Sequence, residues 1–153
     1  MIKRIILLVF ILLLFNNCGY SPIYSKKNQN FDINKINLSG ESKINNLLLK
    51  KFKFYSDNPD SQKSFELMLN TSSDKTVVTK DKKGNPTQFS ISVSIIMTLK
   101  DDFGNENTTI FSESSAYANS DDKFDLAKYE NNIIKNMTEK IFSDIILFIQ
   151  NKV

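Results

Sequence analysis

Alternation of apolar and hydroxylated residues along one central segment restricts the fold of this chain most strongly. From Phe89 to Leu99 every second residue is apolar, and the residues between them are mostly serine and threonine. A period of two places the apolar side chains on one face of a β-strand, which other parts of the chain must then cover. The segment therefore predicts a strand in a sheet that has one buried face and one polar face.

Three further segments carry weaker forms of this alternation and predict three more strands. They lie at residues 31–38, at 64–70 with an extension over 76–80 beyond an irregular stretch at 71–74, and at 108–118. Turn-forming residues around Gly84 and Gly104 separate the second, third and fourth strands. We therefore expect a sheet of four strands.

Two segments carry the period of an amphipathic helix. After Ser42, which can serve as N-cap, apolar residues recur from Ile44 to Tyr55 with the spacing of one helical face. A longer apolar stripe, which includes Tyr129, indicates a helix over residues 122–151. Two helices packed on one face of a four-stranded sheet would bury both kinds of apolar face. The sequence therefore predicts an α+β two-layer sandwich in the order β-α-β-β-β-α.

The N-terminal residues have the pattern of an export signal. Lys3 and Arg4 precede the eleven residues Ile5–Phe15, which include no charge, glycine or proline. This run is too short to span a bilayer, because a spanning helix needs about 20 apolar residues. Cys18, the single cysteine of the chain, follows almost directly.

The residues that end at Cys18 resemble a bacterial lipobox, whose cysteine receives lipid on its sulfur and becomes the first residue of the mature protein. A thiolate is a strong nucleophile for such a reaction, and two or more acyl chains suffice to hold a soluble domain on a membrane. Phe15, Asn16 and Asn17 depart from the usual aliphatic and small residues of a lipobox. The alternative is an uncleaved N-terminal anchor with an incidental cysteine.

These features divide the chain into three parts. We expect a lipoprotein signal peptide over residues 1–17, a lipidated N-terminus and tether over 18–30, and a single α+β domain over 31–153. Removal of Lys3 and Arg4 lowers the formal net charge from +3 to +1. A domain with so little net charge is not expected to bind nucleic acid through its overall surface.

The composition also argues against catalysis. The chain has no histidine, which excludes Ser-His-Asp and Cys-His sites and histidine-ligated zinc. The acidic pairs Asp101–Asp102 and Asp121–Asp122 fit a turn and a helix N-terminus better than acid–base or metal chemistry. We therefore expect no enzymatic activity, no cofactor and no metal site.

The mature part of the chain resembles the lipopolysaccharide-assembly lipoproteins, LptE, which sit inside the outer-membrane barrel LptD. The similarity rests on three features in order: the opening Cys18–Tyr24, the Gly84 hairpin before an alternating strand, and the segment Ser115–Glu130. It implies a non-enzymatic protein anchored at the periplasmic face of the outer membrane. Such a protein plugs the barrel, assists its assembly and contacts lipopolysaccharide on its way to the cell surface.

The resemblance also implies a site for lipid A phosphates. The basic residues of the family match Lys82 or Lys83 before the hairpin glycine, and Lys128 near the start of the final helix. The alternative is that these are ordinary solvated lysines. The serine and threonine face of the last two strands could likewise line a water-filled lumen or simply face solvent. A different lipoprotein with a similar two-layer fold, either pilotin-like or a small-ligand-binding module, is the competing interpretation of the whole chain.

Overall fold

The computed structural model describes residues 30–59 and 61–152. A mixed sheet is built from β1 (Phe31–Gly40), β2 (Lys63–Lys80), β3 (Pro86–Asp101) and β4 (Glu106–Ala118), which lie side by side in that order. β1 and β2 are parallel, and the remaining pairs are antiparallel. Two helices, α1 (Ser42–Phe52) and α2 (Lys123–Gln150), accompany the sheet, and a short 3-10 turn at Lys53–Tyr55 follows α1. This arrangement confirms the predicted α+β fold.

Both helices cover the same face of the sheet. α1 packs on β1 and β2, whereas α2 packs on β3 and β4 and also contacts α1. The alternation along β3 places Ile91, Val93 and Ile95 in the core, and all three are almost completely buried. Residues of every strand and both helices join one hydrophobic cluster, so the period-two and helical apolar faces cover one another as predicted.

The first helix begins differently from the prediction. Ser42 is already helical, and the N-cap position belongs to Glu41, whose side chain makes no capping hydrogen bond. Instead, the amide of Glu41 donates to the Thr71 carbonyl at 3.1 Å, and its carboxylate accepts from the Ser73 hydroxyl at 2.5 Å. The Ser42 N-cap prediction is therefore wrong, because contacts with β2 fix the residue before it.

β2 is one uninterrupted strand of 18 residues, and the predicted irregular stretch at residues 71–74 is wrong. This polar stretch stays extended because β3 pairs with it residue by residue. Thr71 is buried within it, and its hydroxyl donates to the Asn45 side-chain oxygen at 2.8 Å. A polar sequence cannot reveal such partners, which lie far away along the chain.

The long sheet gives the domain two distinct ends. β1 begins beside Lys63, and the β3–β4 turn at residues 101–105 lies at the same end, which we call the tether end. The opposite end, which we call the hairpin end, carries the β2–β3 turn at residues 81–85 and the start of α2. At about 3.3 Å per residue, β2 separates the two ends by roughly 55 Å.

Within the described residues, neither helix is both long enough and apolar enough to cross a membrane.

Candidate functional site

The turn at residues 81–85 is held by a single carboxylate. One Asp81 oxygen accepts the amides of Lys83 and Asn85, each at 2.8 Å, and the other accepts the Asn85 side-chain amide at 3.0 Å. Gly84 adopts a φ of 86° and donates its amide to the Asp81 carbonyl. The hydrogen bond from the Asn85 side chain, with the backbone amides, holds the pKa of Asp81 below its ordinary value. The carboxylate therefore stays ionised while it organises the turn.

This turn presents a cationic tip. Lys80, Lys82 and Lys83 are all exposed, and neither Lys82 nor Lys83 has a side-chain hydrogen bond or ion pair within the described residues. Three lysines and the ionised Asp81 give residues 80–83 a net charge of +2. Unpaired ammonium groups on a loop are suited to attract phosphate as point charges. Lys80 is an addition to the predicted lysines, and the run Lys-Asp-Lys-Lys at residues 80–83 already indicated this cluster of positive charge.

Lys128 lies in a different electrostatic setting. It is exposed on α2, close to the helix start, where Asp122 caps the helix through hydrogen bonds from the amides of Phe124 and Asp125. Three carboxylates and two lysines between residues 121 and 128 give this segment a net charge of −1. A phosphate is therefore attracted less strongly to Lys128 than to the cationic tip.

The structure does not bring Lys128 together with the cationic tip. Glu130, two residues after Lys128, contacts Lys75 at 2.6 Å, so this part of α2 packs at the level of that residue. Lys83 lies roughly 20 Å farther along the hairpin than Lys75. A single phosphate group cannot contact both lysines. The predicted residues form a tip pair, Lys82 and Lys83, and one separate lysine.

A buried tyrosine and a carboxylate tie the base of the hairpin to α2. Glu130 accepts hydrogen bonds of 2.6 Å from both the Lys75 ammonium and the Tyr117 hydroxyl. Burial opposes ionisation of Glu130, but these two donors outweigh it and lower the pKa of Glu130. Burial, together with the Glu130 carboxylate, raises the pKa of Tyr117. The Lys75 ammonium also lies 4.2 Å from the centre of the Phe89 ring.

The face of the sheet opposite the helices is polar but weakly charged. Threonine hydroxyls pair across it, as between Thr98 and Thr108 at 2.9 Å. Ile96 and Ile110 are direct partners in its centre and are 41% and 64% exposed. The register places these hydroxylated residues on the same face: Ser72, Thr76, Ser90, Ser92, Ser94, Ser112 and Ser114. No other element of the described chain covers this face.

Three aspartates of the two acidic pairs in the sequence, Asp101, Asp102 and Asp122, have structural roles. Asp101 organises the β3–β4 turn in the same way as Asp81 organises its own turn, and Asp102 accepts the amide of Ser64 at 3.0 Å. Asp122 is the helix cap described above. No group of three or more potential metal-ligating residues occurs among residues 30–59 and 61–152. Cys18, the predicted lipidation site, lies outside the described residues.

Comparison with known proteins relates this geometry to lipoproteins. No known family profile matches the sequence, and no curated protein matches it. The fold is similar to that of rare lipoprotein B from Shewanella oneidensis, with a TM-score of 0.56, 10% sequence identity and coverage of 77% of this chain and 98% of that one. A second similar structure is lipoprotein B from Nitrosomonas europaea, with a TM-score of 0.54, 11% identity and coverage of 82% and 88%.

A minor lipoprotein from Acinetobacter baumannii is a third similar structure. It has a TM-score of 0.50 and 10% identity, and the match covers 72% of this chain and 89% of that one. All three matches span most of both chains. The protein therefore has the fold of these small bacterial lipoproteins.

Proposed function

We propose that this protein is an LptE-type lipoprotein of the outer membrane, anchored through Cys18 at the periplasmic face. In this role it occupies and helps to assemble an LptD-type barrel. It contacts lipopolysaccharide through Lys82 and Lys83, with Lys128 as a separate contact. The observation that carries the proposal is the cationic tip, which a long hairpin holds beyond the core of a fold shared with bacterial lipoproteins.

The chemistry of the tip suits the phosphate groups of lipid A. Lys82 and Lys83 are exposed, and the nearby carboxylate of Asp81 is already occupied by the turn. An incoming phosphate would not have to displace an existing ion pair. Contacts between exposed charges are screened within roughly 8 Å at physiological ionic strength, so binding at this tip should be weak and sensitive to salt.

The edge strand β4 and the uncovered hydroxylated face of the sheet support the presence of an enclosing partner. β4 is an edge strand of 13 residues without proline or lysine, and it pairs with β3 without a bulge. Glu113, a charge on its helix side, is neutralised by Lys140 at 2.6 Å. Long regular edges of this kind invite pairing with other strands unless something covers them. The lumen of a barrel would cover both this edge and the hydroxylated face.

Copurification tests this proposal. The tagged full-length protein, extracted from outer membranes with a mild detergent, should be recovered with a large barrel protein in equal amounts. The matched variant Cys18→Ser should leave the membrane fraction, because it lacks the site of lipid attachment. Recovery of the wild-type protein from the membrane without any barrel would favour the generic lipoprotein instead.

A further inference from the structure

The β3–β4 turn displays a large apolar side chain to solvent. Phe103 is 91% exposed, more than any other large hydrophobic residue in the described part of the chain. Hydrogen bonds from the amides of Phe103 and Asn105 to Asp101 hold the turn, and the amide of Ser64 donates to Asp102 beside it. The ring is therefore presented on a fixed turn, although burying it would remove a large apolar area from water.

Phe103 lies at the end of the domain where the tether arrives. Phe31 pairs with Lys63, and Asp101 pairs with Phe65 two residues farther along the same strand. Phe54, which is 66% exposed, lies at this end as well, because α1 runs back from the end of β1.

A second contact confirms that the segment after α1 returns to the start of β1. The amide of Asn58 donates to the Asp32 carboxylate at 3.0 Å. Two exposed phenylalanines, Phe54 and Phe103, therefore lie at the same end of the sheet as Phe31, where β1 begins.

The length of the tether restricts which end can meet the membrane. The chain from Cys18 to Phe31 spans at most roughly 45 Å when fully extended. The cationic tip lies roughly 55 Å from Phe31. If the long axis of the domain stands perpendicular to the membrane, the tether from Cys18 is too short for the cationic tip to rest on the bilayer. The tether end can reach the surface in any orientation.

The tether end also contains a cleft of about 270 Å³ between the β3–β4 turn and the end of α2. Phe65, Leu99 and Phe103 contribute its apolar walls, and Lys63 and Lys152 lie at its border. The cleft therefore adds some apolar surface beside the exposed Phe103 ring.

Charge does not explain a membrane contact at this end. The cleft is lined by two lysines, Lys63 and Lys152, and by three carboxylates, Asp101, Asp102 and Glu106, and Lys63 donates to the Lys152 carbonyl at 2.7 Å. An attraction to anionic lipids would need an excess of lysine or arginine. The contact would therefore be apolar and insensitive to salt.

We propose that the tether end is a membrane-contacting surface, in which the Phe103 ring enters the interfacial layer of a phospholipid bilayer and Phe54 supports it. This inference rests on the proposed anchoring through Cys18. While no barrel encloses the anchored domain, this contact gives it a fixed polarity, with the apolar turn toward the bilayer and the cationic tip away from it. Phe124, which is 79% exposed at the hairpin end, would then face away from the membrane.

The absence of tryptophan from the chain allows a direct test. Phe103→Trp places a single fluorophore on the apolar turn. Lys83→Trp places one at the equivalent position of the other turn, two residues after the organising aspartate. Each full-length protein is reconstituted into vesicles of phosphatidylethanolamine and phosphatidylglycerol, with and without acyl-chain-brominated lipid, and circular dichroism checks its fold.

We expect brominated lipid to reduce the emission of the Phe103→Trp protein at least twofold and to leave that of the Lys83→Trp protein unchanged, at low and high salt alike. The emission of Phe103→Trp should also shift to shorter wavelength in plain vesicles. Equal quenching of the two variants, or none of Phe103→Trp, would overturn the inference. Phe54→Trp provides a second fluorophore at the tether end, should the first variant disturb its turn.

The intact mass of each reconstituted protein reports separately whether Cys18 carries lipid. A lipidated protein whose Phe103→Trp fluorophore stays unquenched would contradict the membrane-contacting surface alone. A protein without lipid would contradict the proposed anchoring, and the comparison between the two tryptophan variants would still decide whether the tether end contacts the bilayer.

Discussion

The Tyr117 hydroxyl donates to the Glu130 carboxylate with 2.6 Å between the two oxygens, and this bond joins the edge strand β4 to helix α2. Lys75 of β2 donates to the same carboxylate oxygen, also at 2.6 Å. One acidic side chain therefore connects two strands with the helix that covers them, close to the base of the cationic hairpin.

Tyr117→Phe should destabilise the domain. The change keeps the buried ring but removes the hydroxyl, so the free energy of unfolding should fall by about 1–2 kcal/mol. The matched control is Tyr129→Phe, because the Tyr129 ring packs edge-on against Tyr117 while its hydroxyl has no hydrogen bond within the described residues. Chemical denaturation of the two variants checks the difference, and equal losses would show that the hydrogen bond contributes little.

The lowered pKa of Glu130 predicts an acid-dependent loss of stability. Since its folded pKa lies below the ordinary value of 4.5, the stabilisation is fully present above that pH and is lost as the pH falls through the folded value. The difference in unfolding free energy between wild type and Glu130→Gln should therefore shrink below pH 4.5. Asp81 and Asp101 also have lowered pKa values, and the comparison with the variant cancels their contribution. A difference that grew as the pH fell would contradict the lowered pKa of Glu130.

Glycines with similar backbone angles should respond very differently to alanine. At Gly40, with a φ of 89°, an added Cβ would lie 1.9 Å from the carbonyl oxygen of Thr71. Gly40→Ala should therefore cost at least about 3 kcal/mol, in the range of severe single substitutions. At Gly84, with a φ of 86°, no atom lies within 4 Å, so Gly84→Ala should cost about 1–2 kcal/mol. Thermal unfolding of both variants tests this order, and comparable losses would contradict the close contact of β1 with β2.

The periodic segments made most of the fold predictable. The alternation from Phe89 to Leu99 and the long stripe after Leu126 each place apolar side chains on one face of a strand or helix. Because an apolar face must be buried against another element, the two-layer arrangement follows from the sequence. The turn at Asp81 was also recognisable from its residue types, because a glycine after short polar residues indicates a change of direction.

Features that depend on distant residues could not be predicted. Thr71 is buried because Glu41 and Asn45 satisfy its hydroxyl and carbonyl, and neither neighbour is visible in the local pattern. Tyr129 belongs to the apolar stripe by spacing but is 54% exposed, and the described contact of its ring is with Tyr117 of the edge strand β4. The separation of Lys128 from the cationic tip likewise depends on how α2 packs, which a sequence motif does not contain.

Charge reversal should distinguish the two parts of the predicted lysine site. Lys83→Glu removes a positive charge from a segment of net charge +2, whereas Lys128→Glu acts in a segment that is already acidic. Binding of lipopolysaccharide should therefore weaken several-fold more for Lys83→Glu than for Lys128→Glu. Surface-based binding measurements at low salt check this order. A larger effect at Lys128 would place the principal phosphate contact on α2.

The most direct test of the proposed function measures lipopolysaccharide binding after reversal of both tip lysines. The chain from Gly19 onward, as wild type or as the double variant Lys82→Glu and Lys83→Glu, is passed over immobilised lipopolysaccharide at low and high salt. The control is Lys50→Glu with Lys135→Glu, which makes the same change in net charge at exposed helical positions without a described partner. We predict that the tip variant loses at least tenfold in affinity at low salt and that the control retains most of its binding. Equal affinities for the tip variant and the control would contradict the assignment of the hairpin tip as the lipopolysaccharide contact.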